Sequence, residues 1–463
     1  MSPADVAWLR MESPANPMTI TGVLGFESRL SLPEAKRWVS ERLAVFDRFT
    51  MRVEGVGGAR PRWVEDEAFS IDRHVMEIDL PEPGGQSGLE ALVSELMSTP
   101  LSFDKSPWEF HLVHDVDDGT GHRGSALIGR LHHVIGDGIA LMHVLLSAAD
   151  EYFDADDATD VRPRKAKKPL RTRVARTAKG AVGETVDLIT HPSHLVERLS
   201  TAGAVAQALA GLLAMSPDSD TVFKAQATRT KRAAWTAPMS LETIKTAGDV
   251  LGAKVNDVLL AVAAGALRRY LDAEGESVRD VEVRAAVPFN VRPLERAHEL
   301  GNSFGLVFLL LPVSVEGTRR RVEEVKRRML DIKGSAEPIV TYGILQSIGR
   351  APKWAHRLVV KMFSEKASAV MTNVPGPQEP LHILGAPVGT LMFWVPQAGD
   401  IGLGLSILSL NGSVRVGVCA DDATVPQPRR LAAAFEAEFD SLLATLDADE
   451  SPDAPRPRSS PRA

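Results

Sequence analysis

One segment constrains the fold of this chain more than any other, because it places titratable side chains between two apolar runs. Residues 130–140 read RLHHVIGDGIA, after the run SALIGRL and overlapping the run GIALMHVLLSAA. The first run is typical of a buried strand and the second of a buried helix. Titratable side chains are rare in buried segments. We therefore predict a strand, a polar loop and a helix, with a catalytic base, part of a metal site or an inert strand end in the loop.

The two histidines of this loop are expected to have different roles. Consecutive strand residues point to opposite faces, so His132 and His133 are poorly placed to hold one metal ion. A neutral imidazole at a strand end is a suitable general base, since the unperturbed pKa of histidine is ~6.5. Asp137 can cap the helix or pair with an arginine, and Gly138 allows a close backbone approach. From these residues alone, catalysis and plain packing remain equal alternatives.

Strand-like and helix-like segments recur along both halves of the chain. Short apolar runs predict strands, and longer runs with apolar residues three and four apart predict helices. The pair Asn411-Gly412 between two strand runs is a strong hairpin signal. Predicted strands cover residues 18–27, 109–116, 125–133, 303–313 and the two runs beside 411–412, and predicted helices cover residues 33–46, 138–153, 255–275, 317–334 and a closing helix with Leu431, Phe435, Leu442 and Leu446 on one face. This pattern predicts an α/β or α+β fold with two lobes.

A shift in composition divides the chain. After the acidic stretch DADDATD, lysines and arginines are concentrated between positions 162 and 179. We predict an N-terminal lobe over residues 1–160, a basic connector with helices over 161–232, a C-terminal lobe over 233–448 and a disordered proline-rich tail over 449–463. The basic run is either a solvated linker or a segment attracted to lipid headgroups or cofactor phosphates, at ~1 kcal/mol per basic residue near a membrane.

Composition argues against several classes of protein. The net charge of −7 disfavours a nucleic-acid binder. Cys419 is the one cysteine of the chain, so an intrachain disulfide and a cysteine zinc cluster are excluded, which mildly favours a reducing compartment. We expect no signal peptide, because the first residues lack a basic n-region and an apolar h-region. We expect no spanning helix, because no apolar run reaches ~18 residues, so a soluble or peripheral protein is predicted. The lack of a P-loop and of a G-x-G-x-x-G after a strand argues against nucleotide-driven and nicotinamide chemistry.

Two other short motifs carry weaker signals. Residues 301–305, GNSFG, match the G-x-S-x-G pattern of a serine nucleophile, but that motif needs a strand before it and a helix after it. Here a polar stretch precedes the motif and a strand-like run follows, so a turn entering a strand is favoured. Residues 372–377, TNVPGP, predict a rigid turn at a strand end, with Ser368, Thr372 and Asn373 near a surface or cleft.

Taken together, the motifs resemble those of the bacterial wax ester synthase/acyl-CoA:diacylglycerol acyltransferase family, within the CoA-dependent acyltransferases that carry HHxxxDG. The resemblance covers nearly the whole chain. HHxxxDG alone indicates only the wider superfamily, whereas the ordered set is specific. The set comprises SPADVAWLRMESPANPMTI, PWEFHLV, HHVIGDG, VNDVLLA, AAVPFNVRP, GNSFG and TNVPGP.

The resemblance implies a fold like that of chloramphenicol acetyltransferase, in which two α/β lobes meet at a tunnel that acyl-CoA and the acceptor enter from opposite sides. It implies that His133 is the base and that His132, Asp137 and Gly138 support the loop. The other candidate substrate-binding or supporting residues, which stand in the remaining motifs, are Asn256, Asp257, Asn302, Thr372 and Asn373. Arg284 and Arg292 are both candidates to pair with Asp137.

The resemblance also implies a reaction. We expect transfer of a long-chain acyl group from acyl-CoA, a co-substrate, to diacylglycerol or a long-chain alcohol, without a cofactor, a metal or a covalent acyl-enzyme. The protein is expected in the cytoplasm, peripherally attached to the inner face of the membrane or to lipid droplets. Two alternatives remain: an HHxxxDG acyltransferase acting on another alcohol or amine, and an inactive lipid-binding homologue.

Overall fold

The computed structural model describes residues 1–58, 60–117, 123–152, 202–292, 300–333 and 335–450. Most of the predicted basic connector and nearly all of the predicted tail lie outside these residues, as does most of the turn predicted between the strands at 109–116 and 125–133. The described helices and strands follow the sequence pattern closely.

The helices are α1 (Pro3–Met11), α2 (Leu32–Arg42), α3 (Asp47–Thr50), α4 (Gly85–Ser98), α5 (Gly138–Ser147), α6 (Ala202–Ala214), α7 (Leu241–Leu251), α8 (Val255–Ala273), α9 (Thr318–Lys333), α10 (Glu337–Ile348), α11 (Lys353–Glu365) and α12 (Pro428–Glu450). The strands are β1 (Thr19–Phe26), β2 (Met51–Glu54), β3 (Arg62–Glu65), β4 (Val75–Glu77), β5 (Trp108–Asp117), β6 (Arg123–His132), β7 (Lys231–Trp235), β8 (Met239–Ser240), β9 (Val283–Asn290), β10 (Phe304–Leu311), β11 (Ala369–Pro375), β12 (His382–Ile383), β13 (Ala386–Trp394), β14 (Leu403–Leu410) and β15 (Ser413–Asp421).

The first lobe is built on a six-stranded sheet in the order β12-β13-β1-β6-β5-β4. Strand β1 pairs antiparallel with β6, so that Thr19 lies opposite His132 at the end of the ladder. Strands β5 and β6 pair antiparallel along their length. The core on this sheet includes Trp38 of α2 and Val144 of α5. The histidine pair therefore lies at one end of β6, which is one of the two central strands of this sheet.

The second lobe is built on a seven-stranded sheet in the order β10-β9-β11-β14-β15-β7, with β8 also paired to β15. Strand β11 runs parallel to both β9 and β14. The hairpin between β14 and β15 turns at Asn411 and Gly412, whose φ values of 46° and 73° lie in the left-handed region. The predicted Asn-Gly hairpin is therefore confirmed. Helices α8 and α12 cover this sheet and contribute many of its core residues.

The two lobes are not two consecutive stretches of chain. Strands β12 and β13 belong to the first sheet, where β13 pairs antiparallel with β1 and places Trp394 opposite Thr21. The predicted lobe of residues 233–448 therefore does not correspond to the second sheet alone. The physical reason is that an apolar run indicates a strand but carries no information about its pairing partner, because the hydrogen bonds of a ladder are made by the backbone.

Helix α5 departs from the prediction in its burial. Its sequence predicts a buried helix, but within it only Ala140 and Val144 are buried. The remaining apolar residues are half-buried, because Leu141, Met142 and Leu145 line a cavity between α5 and the first sheet. A hydrophobic run does not distinguish a side chain that faces packed core from one that faces an apolar cavity.

Helix α8 is buried as predicted, with its residues from Asp257 to Leu267 all buried. Among the described residues, no single helix has the length and apolar character needed to cross a membrane. Helices α7 and α8 reach that length and composition only as a pair, and the pair is bent by 95°.

Candidate active site

The HHVIGDG segment forms a tight loop between β6 and α5. Strand β6 ends at His132, and Asp137 caps the first turn of α5, where its Oδ1 accepts a hydrogen bond of 2.9 Å from the Ala140 N–H. The His133 N–H donates to the Met18 carbonyl over 2.7 Å, which ties the loop to the start of β1. The predicted succession of strand, polar loop and helix is thus present, and the loop is fixed at both ends.

The His133 ring is enclosed by aromatic groups. It stacks on Trp8 of α1 with ring centroids 3.9 Å apart and an interplanar angle of 8°. Phe304 lies on another side at 5.7 Å between centroids. The residue is 3% exposed, and its ring contributes to the wall of a large cavity.

The tautomer of His133 is determined by Asn302. Asn302 Nδ2 donates to the Asp5 carboxylate and to the His133 carbonyl, each over 2.9 Å. Since those two groups only accept hydrogen bonds, the amide is oriented with its Oδ1 towards His133 Nδ1, 2.7 Å away. Nδ1 must therefore carry the proton, and Nε2 keeps its lone pair. No described residue donates a hydrogen bond to Nε2.

Burial sets the charge of this ring. It lowers the pKa of His133 to about 4, against the opposing effect of hydrogen bonds to its own carbonyl and to Asn302. The imidazole is therefore neutral at pH 7. The nearest anion in this network is Asp5, which is fully buried and pairs with Arg48 over 3.1 Å. A proton taken up by His133 would be stabilised by Asp5 through Asn302.

His132 has separate surroundings, as strand alternation predicts. Its Nδ1 accepts a hydrogen bond of 3.0 Å from the Val134 N–H, and its Nε2 lies 3.3 Å from a Glu12 carboxylate oxygen. Phe103 meets the ring edge-on. The side chain is 1% exposed, and it does not line the cavity that His133 lines.

Asp137 links the loop to the second lobe. Its Oδ2 accepts from Arg292 Nη2 over 2.8 Å and from the Ser303 N–H over 3.0 Å. Of the two arginines considered, Arg292 is thus the partner, whereas Arg284 donates to the carbonyls of Ser216 and Lys366. A Cβ on Gly138 would meet only Phe393, at 4.0 Å, so no contact in the structure requires a glycine at this position. Gly138 lines the cavity beside α5.

Ser303 is not placed as a nucleophile. Its N–H is bonded to Asp137, and strand β10 follows directly at Phe304. The helix that a nucleophile elbow requires after the serine is absent here, so the turn predicted for the GNSFG motif is the correct interpretation. Within the same motif, the Asn302 amide contacts the His133 ring and carbonyl.

The cavity at His133 encloses about 1450 Å³, counting the open space at its mouth. Both lobes contribute to its walls, together with the inner faces of α10 and α11. Apolar side chains form most of the lining, including Trp8, Met11, Ile139, Phe304, Leu306, Phe308, Ile344, Ile348, Val359, Val360, Phe363, Phe393 and Ile401. Such a cavity suits a substrate with long apolar chains, whose reacting group reaches the His133 imidazole.

A second cavity, of about 1240 Å³ with the open space at its mouth counted, lies beside the first, and Pro288 and Asn373 line both. At this junction Asn373 Nδ2 donates to Asn256 Oδ1 over 2.8 Å. Lys245 and Lys254 stand at the wall of the second cavity. The two cavities are therefore adjacent, with His133 in the wall of the first and two lysines in the wall of the second.

The remaining predicted residues make hydrogen bonds beside these two cavities. Asp257 accepts a hydrogen bond of 3.2 Å from the Lys254 N–H at the start of α8, so its carboxylate caps that helix while also lining the second cavity. Thr372 Oγ1 donates to Ser406 Oγ over 3.2 Å and lines the first cavity. Among the described residues, no group of three histidines, cysteines or acids is placed to hold a metal ion.

The sequence pattern did not identify Asp5 and Trp8 as site residues. Both lie on α1, three positions apart and therefore on one helix face. A signal was present: an acid and a tryptophan share an apolar face behind the capping residue Ser2. An acid on a buried face needs a partner, but the partner, Asn302, is almost three hundred residues away and was not visible in any local window.

Comparison with known proteins gives consistent matches. A model of the wax ester synthase/diacylglycerol acyltransferase catalytic domain matches residues 1–259, and a model of the WS/DGAT C-terminal domain matches residues 300–443. The probable diacylglycerol O-acyltransferase tgs1 of Mycobacterium tuberculosis is 26% identical over 415 residues, covering 88% of this chain and 87% of the relative. The probable diacylglycerol O-acyltransferase tgs2 of the same organism is 28% identical over 462 residues, covering 96% and 98%.

Solved structures share the fold. The wax ester synthase/diacylglycerol acyltransferase from Marinobacter aquaeolei VT8 superposes with a TM-score of 0.66 at 22% identity, covering 96% of this chain and 98% of that one. The first condensation domain of the calcium-dependent antibiotic synthetase superposes with a TM-score of 0.57 at 18% identity, covering 95% of each chain. The two-lobed α/β fold is therefore confirmed.

Proposed function

The chain belongs to the wax ester synthase/diacylglycerol acyltransferase family and is an acyltransferase, and from that premise we propose that it moves a long-chain acyl group from acyl-CoA to the hydroxyl of diacylglycerol or of a long-chain alcohol. The observation that carries this proposal is the His133 imidazole, held neutral with the Nε2 lone pair free of partners among the described residues, in the wall of a large apolar cavity.

The proposed mechanism uses His133 as a general base and then as a general acid. Nε2 takes the proton from the acceptor hydroxyl while its oxygen attacks the thioester carbonyl. The tetrahedral intermediate then expels the CoA thiolate, which receives the proton from Nε2, so the ester and free CoA are the products. Proton transfer of this kind contributes ~10²–10⁴-fold in rate. Positioning of both substrates supplies a further part of the acceleration.

The imidazolium formed in this step is stabilised by the groups behind it. Nδ1–H donates to Asn302, whose amide is anchored on the buried Asp5 carboxylate. Because Asp5 and Arg48 form a pair at 3.1 Å, the carboxylate is held in place rather than free to turn towards the cavity. Asp137, Arg292 and the Ser303 N–H hold the loop itself.

Acyl-CoA, a co-substrate rather than a cofactor, is proposed to enter through the second cavity. Lys245 and Lys254 at its wall suit the phosphates of CoA, because ammonium groups attract phosphate oxygens. The acceptor is proposed to enter through the apolar cavity. Since such acceptors reside in lipid, we also propose that the protein works in the cytoplasm, peripherally attached to the inner face of the membrane or to lipid droplets.

The test is an assay of the purified protein with radiolabelled long-chain acyl-CoA and either diacylglycerol or hexadecanol. We expect a labelled triacylglycerol, a labelled wax ester, or both, and free CoA in equal amount to the ester. Labelled ester from neither acceptor, with protein that unfolds cooperatively on heating, would contradict the proposal and favour an inactive lipid-binding homologue. Product with only a small polar alcohol or an amine would favour another branch of the HHxxxDG enzymes.

A further inference from the structure

Helix α11 separates the apolar cavity from solvent. Its inner face supplies Val359, Val360 and Phe363 to the cavity wall. His356 on the same buried side is hydrogen-bonded through Nε2 to the Ala7 carbonyl of α1 over 3.1 Å. Helix α11 therefore packs against α1, whose Trp8 stacks on the His133 ring.

The outer face of α11 exposes large apolar side chains. Trp354 is 67% exposed and Leu358 is 62% exposed, and their spacing of four residues places them side by side on the helix. The turn after β2 lies beside the start of this helix, because a side chain at Gly57 would come within 4.0 Å of Lys353 Nζ. The neighbouring Val56 is 44% exposed. Single exposed apolar residues are ordinary, but an adjacent tryptophan and leucine indicate a binding surface.

Basic side chains surround this apolar pair. Lys353, Arg357 and Lys361 alternate with Trp354 and Leu358 on the exposed side of the helix. The helix carries one acidic residue, Glu365, whose carboxylate lies 4.0 Å from Lys361 with both side chains more than half exposed. At that exposure the pair leaves most of the lysine charge available. The helix is therefore basic, although the whole chain has a net charge of −7.

We propose that this face of α11, defined by Lys353, Trp354, Arg357, Leu358 and Lys361, docks on an anionic lipid surface. An amphipathic helix with basic residues beside an exposed tryptophan and leucine binds the interface between headgroups and acyl chains. Tryptophan prefers that depth, and each basic residue gains from anionic headgroups.

The inference rests on the proposed function and deepens it, because it names the surface from which the acceptor enters. A protein anchored by α11 presents the wall of its apolar cavity to the bilayer. A lipophilic acceptor then moves from the lipid past α11 towards His133 without crossing water. The docking residues do not line the cavity themselves, so binding to lipid and chemistry can be separated by mutation.

Binding is tested by cosedimentation of the full chain with vesicles of phosphatidylcholine, with and without phosphatidylglycerol. We expect the unmodified protein to bind the anionic vesicles, and the double variant Trp354→Ser/Leu358→Ser to bind them at least about tenfold more weakly. Replacing Lys353, Arg357 and Lys361 with serine is expected to weaken binding to anionic vesicles by up to about fivefold for each charge and to leave binding to neutral vesicles unchanged.

The matched control is Leu330→Ser on α9, where Leu330 is 60% exposed, almost as much as Leu358. It should leave vesicle binding unchanged. The proposal is wrong if the unmodified protein ignores anionic vesicles, if the double variant binds as well as the unmodified protein, or if Leu330→Ser weakens binding equally. Capture of a protein partner through Trp354, with vesicle binding intact, would also overturn it.

An activity comparison separates this proposal from the proposed function. With diacylglycerol in anionic vesicles, the double variant should lose activity in proportion to its lost binding. With a short-chain, water-soluble alcohol it should turn over as the unmodified protein does. If the unmodified protein is inactive with every acceptor, the proposed function fails, whatever the vesicles show. If it is active and the variant is equally active on vesicle-borne diacylglycerol, only the docking surface fails.

Discussion

The two cavities that meet at Asn373 differ in how they are built. The first, at His133, has walls from both lobes and is held by buried ionic and amide contacts that cross between them, such as Asp137 with Arg292 and Asn302 with Asp5. The second is lined by residues of the second lobe and its neighbouring helices, and its charged residues stand at its wall. The first cavity is therefore a junction, whereas the second is a pocket within one lobe.

This difference indicates that the two cavities have different functions. A general base must be held rigidly and kept free of water, which a junction of two packed lobes provides. A site for a large anionic substrate needs positive charge, which lysines at a pocket wall provide. Catalysis is expected only in the first cavity, at His133, and changes in the two cavities should have separable kinetic effects.

The largest effect is expected from His133→Ala, which removes the proposed base of the first cavity. Turnover should fall by about 10²–10⁴-fold, the usual contribution of a general base. The matched control is His74→Ala. His74 is also buried, also stacks on a tryptophan at 4.1 Å, and also has its pKa lowered by burial to about 4, but it does not line the described cavities. The account fails if both variants, assayed as folded protein, lose turnover equally.

A smaller loss is expected from Asn302→Ala, which frees the His133 ring from its amide. One buried hydrogen bond to a reacting group corresponds to about 10- to 100-fold in rate. Turnover should fall while the KM for acyl-CoA stays constant, because the second cavity is untouched. Asn16→Ala is the control, since Asn16 is equally buried and is bonded to Lys231 instead. A rise in KM with unchanged turnover would place Asn302 in substrate binding.

Changes in the second cavity should affect binding rather than chemistry. Lys245→Ser and Lys254→Ser are each expected to raise the KM for acyl-CoA by up to about fivefold, as exposed charges do, with turnover unchanged. The effect should shrink with added salt. Lys36→Ser serves as the control, because Lys36 pairs with Asp72 on the first lobe. If turnover falls and KM does not change, the division between the cavities is wrong.

The smallest effect is expected from pH between 5 and 8. Because burial lowers the pKa of His133 to about 4, the imidazole is in its active neutral form throughout that range. The group is inactivated by protonation, so kcat/KM should decline only as the pH approaches 4. An exposed histidine would instead reduce kcat/KM below about pH 6.5. A decline centred near that value would show that the ring is hydrated.

The sequence was sufficient to predict the local structure and the part of the site that lies in HHVIGDG. The strand, loop and helix at HHVIGDG are predictable because apolar periodicity is a local property. The hairpin at the Asn-Gly pair is predictable because the turn geometry depends on those two residues. Asn302 was proposed only as a member of a motif. Its role depends on Asp5, which reaches it through the fold, and no pattern in the chain encodes that contact.

The crossing of β13 into the first sheet and the half-burial of α5 were not predicted for the same reason. A strand's partner and the presence of a cavity beside a helix are decided by tertiary packing, which local periodicity does not report. Arg284 and Arg292 illustrate this limit: Arg284 lies in β9 and Arg292 two residues after its end, and only the structure shows which of them reaches Asp137.

The most direct test of the central claim is the protonation of the His133 ring itself. Nitrogen NMR of protein with labelled histidine, assigned by comparison with the His133→Ala spectrum, reports the state of Nδ1 and Nε2 separately. We predict a neutral ring at pH 7, with the proton on Nδ1 and a lone pair on Nε2, and a shift towards mixed tautomers in Asn302→Ala. A ring that is doubly protonated at pH 7, or that carries its proton on Nε2, would contradict the account.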